Sequence, residues 1–261
     1  MIGPVLHEDR RRAGTFGEEA ERYDRARPTY PPAVVDALMA GSPRRVLDIG
    51  CGTGKAGVLL VERGCAVLGV EPDARMAAVA RRNRLQVEVA AFEEWDPAGR
   101  LFDLAVAAQS WHWIRPERGA EVAASALPPE GRLALLWNLG AHDPETQAAF
   151  DEVYGRLAPS LVECSAPLGR VMREGGDDPG GVAAVVATRR FEEPEVVIHE
   201  WEQPYSREEW LDVIQTHSSH RLLSDAQRSA LVEGIGQTID RLGGGVRLSY
   251  RTVLYTFRRA S

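Results

Sequence analysis

Cysteine is scarce. The three in 261 residues, Cys51, Cys65 and Cys164, show no CxxC spacing, so neither a disulfide framework nor a cysteine zinc site is suggested. No apolar run approaches the roughly 18 residues that a bilayer-spanning helix needs. The amino-terminal stretch MIGPVLHEDRRRAGTFG has an arginine cluster but no apolar h-region, which speaks against a secretory signal. Positive charge is also short, because 31 Lys and Arg against 38 Asp and Glu leave a formal net charge of −7. Nucleic-acid affinity depends on clustered cations that neutralise phosphates. The balance therefore argues against a broad phosphate-binding face, and Arg10 to Arg12 read as a solvated tail. The expectation is a cytoplasmic protein with reduced thiols, without a membrane or nucleic-acid partner.

What is present is an alternation of short β-rich runs with helix-length segments from about residue 44. RVLDIG, CAVLGVEP, LQVEVAAF, LFDLAVAAQ and GRLALLWN read as strands. KAGVLLVERG, DARMAAVARRNR and PERGAEVAASAL read as helices between them, with Asp73 placed to cap the second. Such alternation means βαβ units and a mostly parallel sheet covered on both faces. The second half differs. Residues 144–158 look helical, SAPLGRVMREGGDDPGG reads as an irregular connection, and VVIHEWEQPY and RLSYRTVLYTFRR read as late strands. Two helices open with capping-box spacing, Ser206 with Glu209 and Ser224 with Gln227. Leu231, Ile235, Thr238 and Leu242 form a core stripe on the second of them.

Four glycines, Gly50, Gly52, Gly54 and Gly57, crowd into the eight residues that follow the first strand. A Walker A loop would need a glycine where Ile49 stands and a hydroxyl where Ala56 stands, so a triphosphate does not fit. Gly52, Gly54 and Gly57 do match GxGxxG, and Glu71 ends the next strand about twenty residues on, where an acid would hold a ribose diol. Spacing alone leaves NAD and other adenosine compounds open. Asp48 separates them. A carboxylate at the end of the first strand repels a pyrophosphate but suits a ligand bearing an ammonium and a sulfonium. S-adenosylmethionine is such a ligand; the competing role for Asp48 is a cap or turn residue.

VLDIGCGTGK followed by LGVEPDARM resembles the first two motifs of class I S-adenosylmethionine-dependent methyltransferases. ERYDRARPTYP, FEEW, FDLAVAAQSWHWI and GRLALLWN extend the resemblance over residues 16–138, toward the small-molecule branch that includes trans-aconitate-methyltransferase-like proteins. It implies a Rossmann-like α/β fold: a seven-stranded sheet of order 3-2-1-4-5-7-6, its last strand antiparallel, helices on both faces and an inserted helical cap. The expected organisation is one domain over 1–261. Its parts are a lid and first helix (1–40), a cofactor-binding core (44–138), cap helices with a late strand (139–245) and a final strand (246–261).

The resemblance also implies roles. Gly50, Gly52 and Gly54 let backbone approach the cofactor, Asp48 contacts its ammonium, Glu71 accepts the ribose hydroxyls, and Pro72 starts the next helix beside it. Relatives place an Asp where Ala91 stands, so Phe92 through its backbone and Glu93 through its carboxylate become the candidates for adenine, with core packing the rival role for Phe92. Tyr23 and Arg27, in a segment that folds over the cofactor in relatives, are candidates for its carboxylate; Arg27 could instead meet an acidic substrate. Gln109 should sit beside the cofactor. Trp111 and Trp113 should lie on the lip of the pocket or staple the next helix, and His112 is either a general base or structural. Tyr205, Trp210 and His217 are candidates for the acceptor pocket, although Trp210 and His217 share a face that could equally be core.

The expected activity is methyl transfer to a small-molecule acceptor, with no metal. A nicotinamide-dependent oxidoreductase is disfavoured by Asp48 and by the lack of a Tyr-x-x-x-Lys pattern. A protein that binds S-adenosylmethionine without turnover stays open. No NPPY-type motif for a flipped base is present.

Overall fold

The computed structural model describes residues 16–164 and 181–260. Arg10 to Arg12 and most of the segment read as an irregular connection lie outside them. The first five strands are β1 (Arg45–Ile49), β2 (Ala66–Glu71), β3 (Gln86–Val89), β4 (Leu104–Ala108) and β5 (Arg132–Ala141). They pair in parallel. Between them run α3 (Lys55–Glu62), α4 (Ala74–Arg82) and α5 (Pro116–Ser125). β6 (Glu195–Ser206) and β7 (Gly245–Arg258) complete one sheet of order β3-β2-β1-β4-β5-β7-β6, with β7 antiparallel to both neighbours. Fold class and strand order are those expected from the sequence.

The central strands are apolar on both faces because helices cover both. β1 buries Val46, Leu47, Asp48 and Ile49 in succession, the near-continuous burial of a parallel strand. Leu47, Ile49, Leu133, Leu135 and Trp137 pack into one core layer with α5, and Val46, Val106, Ala134 and Leu136 into the other with α2 (Pro32–Leu38) and α3. α4 begins where Asp73 accepts from Arg75 N at 2.9 Å, as its sequence position predicted.

The cap grows from the second half of the chain. α6 (Pro144–Leu157), α9 (Arg207–Gln215) and α10 (Asp225–Arg241) enclose a third core built on Phe150, Val153, Trp210, Ile214, Leu231 and Ile235 over the ends of β6 and β7. Two short helices, α7 (Pro159–Cys164) and α8 (Val182–Ala187), flank the segment outside the described residues. The stripe on α10 holds at Leu231, Ile235 and Thr238. Leu242 differs: the helix stops at Arg241, Leu242 becomes its half-buried C-cap, and Ile239 takes the core position.

Both capping boxes form. On α9, Ser206 Oγ accepts from Glu209 N at 3.2 Å while Glu209 Oε2 accepts from Ser206 N at 2.8 Å. Ser206→Ala leaves the first-turn donor without its partner and is expected to cost about 1 kcal/mol. Urea unfolding should show a lower midpoint with an unchanged slope; an unchanged midpoint would mean that α9 is held by the third core alone.

Candidate functional site

The glycine turn sits where β1, β2 and β4 end together. Gly50, Gly52 and Gly54 all have positive φ, at 62°, 56° and 90°, which a side chain would strain. A Cβ on Gly50 would lie 2.6 Å from Ser110 Cβ. Ser110 is held there by donating its hydroxyl to the Ile49 carbonyl at 2.5 Å. Gln109 adopts φ 62° with its N–H on the Leu136 carbonyl at 2.9 Å. A non-glycine residue in that conformation stores strain, a common property of ligand sites.

Beside the turn lie two buried carboxylates. Glu71 Oε2 accepts from Gly52 N at 2.9 Å and Oε1 from Asp73 N at 3.0 Å, so backbone donors orient it. Burial pushes its pKa up to about 7 against those bonds. Asp48 is 1% exposed, and neither of its oxygens completes a hydrogen bond. Burial pushes it up to about 7 as well, with the neighbouring Gly57 N–H pulling back and the Glu71 charge adding to the rise. A buried carboxylate with no partner is costly, and a cationic ligand would supply the missing one.

These groups face a cavity of about 690 Å³. Gly50, Gly52, Asp48, Glu71 and Pro72 line its inner end, together with Phe92, Glu93 and Gln109. Phe92 is also buried in the first core layer, the packing role that its position left open. Glu93 Oε1 accepts from Arg115 N at 3.3 Å, at the start of α5. Asp73 is occupied with capping.

Helix α1 (Ala20–Ala26) roofs the cavity. Ala20 and Tyr23 pack on Met76 and Val79 of α4. On its other side Arg22 pairs with Asp212 of α9 at 3.3 Å. Arg27 donates through Nε to Thr216 Oγ1 at 2.8 Å and through a terminal nitrogen to the Thr216 carbonyl at 3.2 Å. Tyr23 and Arg27 both line the cavity, with the Arg27 guanidinium 5.4 Å from the Tyr23 ring centroid. No carboxylate pairs with Arg27 among the described residues.

The outer half belongs to the cap. Trp113, Trp210 and His217 line it, as do His142, Tyr154 and His220. Trp210 Nε1 and His142 Nδ1 are buried without a hydrogen-bond partner. Desolvation lowers the pKa of His142 to about 4 and also lowers His217 and His220, with Arg27 adding to the effect on the last two. All three rings are therefore neutral at pH 7.

Three expected residues fall elsewhere. Trp111 is fully buried in the core and packs against Gly119 of α5, the stapling alternative rather than the lip, because the tight turn at 111–113 sends alternate side chains apart. Gly54 caps α3 and approaches Ala80 and Leu85 rather than the cavity. Tyr205 is buried one layer behind the wall, where its hydroxyl meets that of Tyr250 at 2.9 Å. His112 does line the cavity, but its Nδ1 accepts from Trp137 Nε1 at 3.2 Å. The Nδ1 lone pair is thus engaged by the indole N–H.

Lys55, Tyr30, His142, Tyr154 and His220 were not singled out by sequence reasoning, yet all line the cavity. The available signal was rarity. Four of the six histidines in the chain, His112, His142, His217 and His220, converge there. Among the described residues no cluster suited to a metal ion exists.

The strand order and the glycine turn between β1 and α3 define a Rossmann-like methyltransferase fold. A family model described as a methyltransferase domain matches residues 23–227, and the chain belongs to that family. An uncharacterized methyltransferase of Mycobacterium tuberculosis is 41% identical over 126 residues, 48% of this chain and 52% of that protein. The chain thus spans about half the length of the curated relatives it matches. A candidate type II methyltransferase from Anaeromyxobacter dehalogenans superposes with TM-score 0.66 at 23% identity, over 89% of this chain and 97% of that one. A Haemonchus contortus phosphoethanolamine N-methyltransferase, solved with S-adenosylhomocysteine and phosphomonomethylethanolamine, gives TM-score 0.54 at 16% identity over 94% of this chain and 58% of that one.

The raised carboxylates have a pH consequence for the ligand-free protein. A folded pKa near 7 for Asp48, above its ordinary 3.8, contributes stability below the ordinary value that is lost as pH rises through about 7. Asp48→Asn should therefore be nearly neutral at pH 4 and stabilising at pH 8, by up to about 4 kcal/mol for a shift of this size. Urea titrations of both proteins at the two pH values measure it; equal differences at both would show that Asp48 is ionised without strain.

Proposed function

We propose that the chain is an S-adenosylmethionine-dependent methyltransferase that acts on a small-molecule acceptor. The observation that carries this reading is Asp48, a buried carboxylate without a partner, beside a backbone-oriented Glu71 and a glycine-rich turn in one cavity. Asp48 suits the ammonium, Glu71 the ribose diol, and Arg27 with Lys55 the carboxylate. The cofactor, when bound, supplies a methyl group on a sulfonium, a carbon already activated for displacement. The residues of the chain then orient two reactants in line and exclude water. Tyr23 and Arg27 of the roof, with Phe92 below, do the excluding.

The size of the enclosed space supports a small acceptor. About 690 Å³ lies within the range of small-molecule sites, and the formal net charge of −7 disfavours a nucleic-acid acceptor. Among the described residues no helix is long and apolar enough to cross a membrane; we read the protein as cytoplasmic and its 261 residues as one domain. Binding without turnover is disfavoured by the room that the outer half leaves for an acceptor beside the glycine turn. A nicotinamide cofactor is disfavoured because its pyrophosphate would meet Asp48.

S-adenosylhomocysteine should raise the melting temperature of the wild type, and NAD and NADP should not. At about a hundred times its dissociation constant the ligand adds roughly 2.7 kcal/mol, or roughly 5–10 °C for a chain of this length. Glu71→Ala should lose most of the shift. A shift with NAD alone would sink the reading of Asp48 and the methyltransferase with it.

A further inference from the structure

The outer half of the cavity holds a hydrogen-bonded pair that cofactor binding does not use. Tyr154, on α6, places its hydroxyl 3.0 Å from His220 Nε2. On the other side of the ring, His220 Nδ1 is bonded to the Ile214 carbonyl at the end of α9. A carbonyl only accepts, so Nδ1 carries the proton, Nε2 offers its lone pair, and Tyr154 is the donor. The chain Tyr154 to His220 to Ile214 thus has one direction. The His217 ring stacks on His220 at 5.2 Å and holds it in plane. Tyr154 and His220 both reach the cavity.

Resting on the methyltransferase reading, we propose that the acceptor is a planar hydroxyl compound, a phenol or an enol, whose proton is taken through Tyr154 by His220. The walls are rich in aromatic rings, on which a flat acceptor can pack. The His142 ring stands edge-on to both Phe150 and Trp210, at 5.0 and 4.9 Å between centroids, and the Trp210 N–H is a donor still without a partner. His112 cannot compete as the base while its Nδ1 holds the Trp137 N–H.

The step balances. A lone pair on the acceptor oxygen forms the new O–CH₃ bond as the C–S bond of the sulfonium breaks, and that electron pair stays on sulfur. The acceptor proton passes to the Tyr154 oxygen as Tyr154 gives its own to His220 Nε2, and the imidazolium later releases it to solvent. The groups that face His220 are Tyr154 from α6, His217 behind it, Arg27 from the roof and the Ile214 carbonyl. Asp151 acts on Tyr154, and His142 acts on His217. Burial and Arg27 hold the His220 pKa below the ordinary imidazole value, and the Ile214 carbonyl opposes them. The base is therefore ready across the neutral range and fails only in acid.

The test begins with the S-adenosylhomocysteine melting shift, whose absence would defeat the cofactor reading itself. With that shift present, phenols, benzoic acids and anilines of matched skeleton are offered with S-adenosylmethionine, and release of S-adenosylhomocysteine is followed. Methylation of hydroxyl compounds is expected, with kcat level through neutral pH and falling below the ordinary imidazole range. Tyr154→Phe and His220→Asn should each lower kcat about 100-fold with little change in KM, while keeping the melting shift that shows them folded. A second readout needs no turnover: 4-nitrophenol bound beside S-adenosylhomocysteine should show more phenolate absorption than the free probe at the same pH, a gain that Tyr154→Phe loses. Methylation confined to acids or amines, acceptance of nothing in the panel, or unaltered kcat in both variants would overturn the inference while leaving the methyltransferase intact.

Discussion

Where β1, β2 and β4 end there is no room for a Cβ. Gly50 would collide with Ser110, Gly57 with Asp48, and Gly69 with Cys51 at 2.6 Å. Everything that gives the cavity its chemistry depends on that crowding. Because the strands close in so tightly, the turn after β1 must take left-handed conformations, and its N–H at Gly52 is aimed at Glu71. The same closeness strips solvent from Asp48, which turns an ordinary carboxylate into one that holds its proton near neutrality. Backbone geometry is thus converted into an electrostatic demand that the protein cannot meet from its own side chains.

The two halves of the cavity answer opposite demands with the same physics. Desolvation raises the carboxylates at the inner end and lowers the imidazoles at the outer end, so each end is held toward neutrality. A buried charge is expensive without a partner. The two ends are thus held toward neutrality, while Arg27, fixed through Thr216, and Lys55 bring positive charge to the wall between them.

The sheet and the glycine turn were legible because parallel strands and their punctuation are local signals. RVLDIG, with Asp48 two residues before Gly50 and Glu71 at the end of the next strand, located the inner half of the site before any coordinates. The outer half resisted for a physical reason. Tyr154 and His220 sit on an amphipathic helix and a short turn whose inward faces read as core, and periodicity cannot tell a residue facing a cavity from one facing packed neighbours. Trp111 and Trp113 show the same limit at shorter range. They are two residues apart in one tight turn, yet one is fully buried and the other lines the cavity. Gly54 belongs to the motif by spacing, but its work is to begin a helix.

Helix α1 is tied on both sides, to α4 by Tyr23 and Ala20 and to α9 by Arg22 and Arg27. Both ties mix apolar and polar contacts: on the α4 side Glu21 also pairs with Arg82 and Asp24 accepts from Asn83 at 3.2 Å, and on the α9 side Ala26 packs on the third core. Ion pairs weaken as salt rises and apolar packing as temperature falls, so a roof held by both kinds of contact on each side stays seated when either condition changes alone.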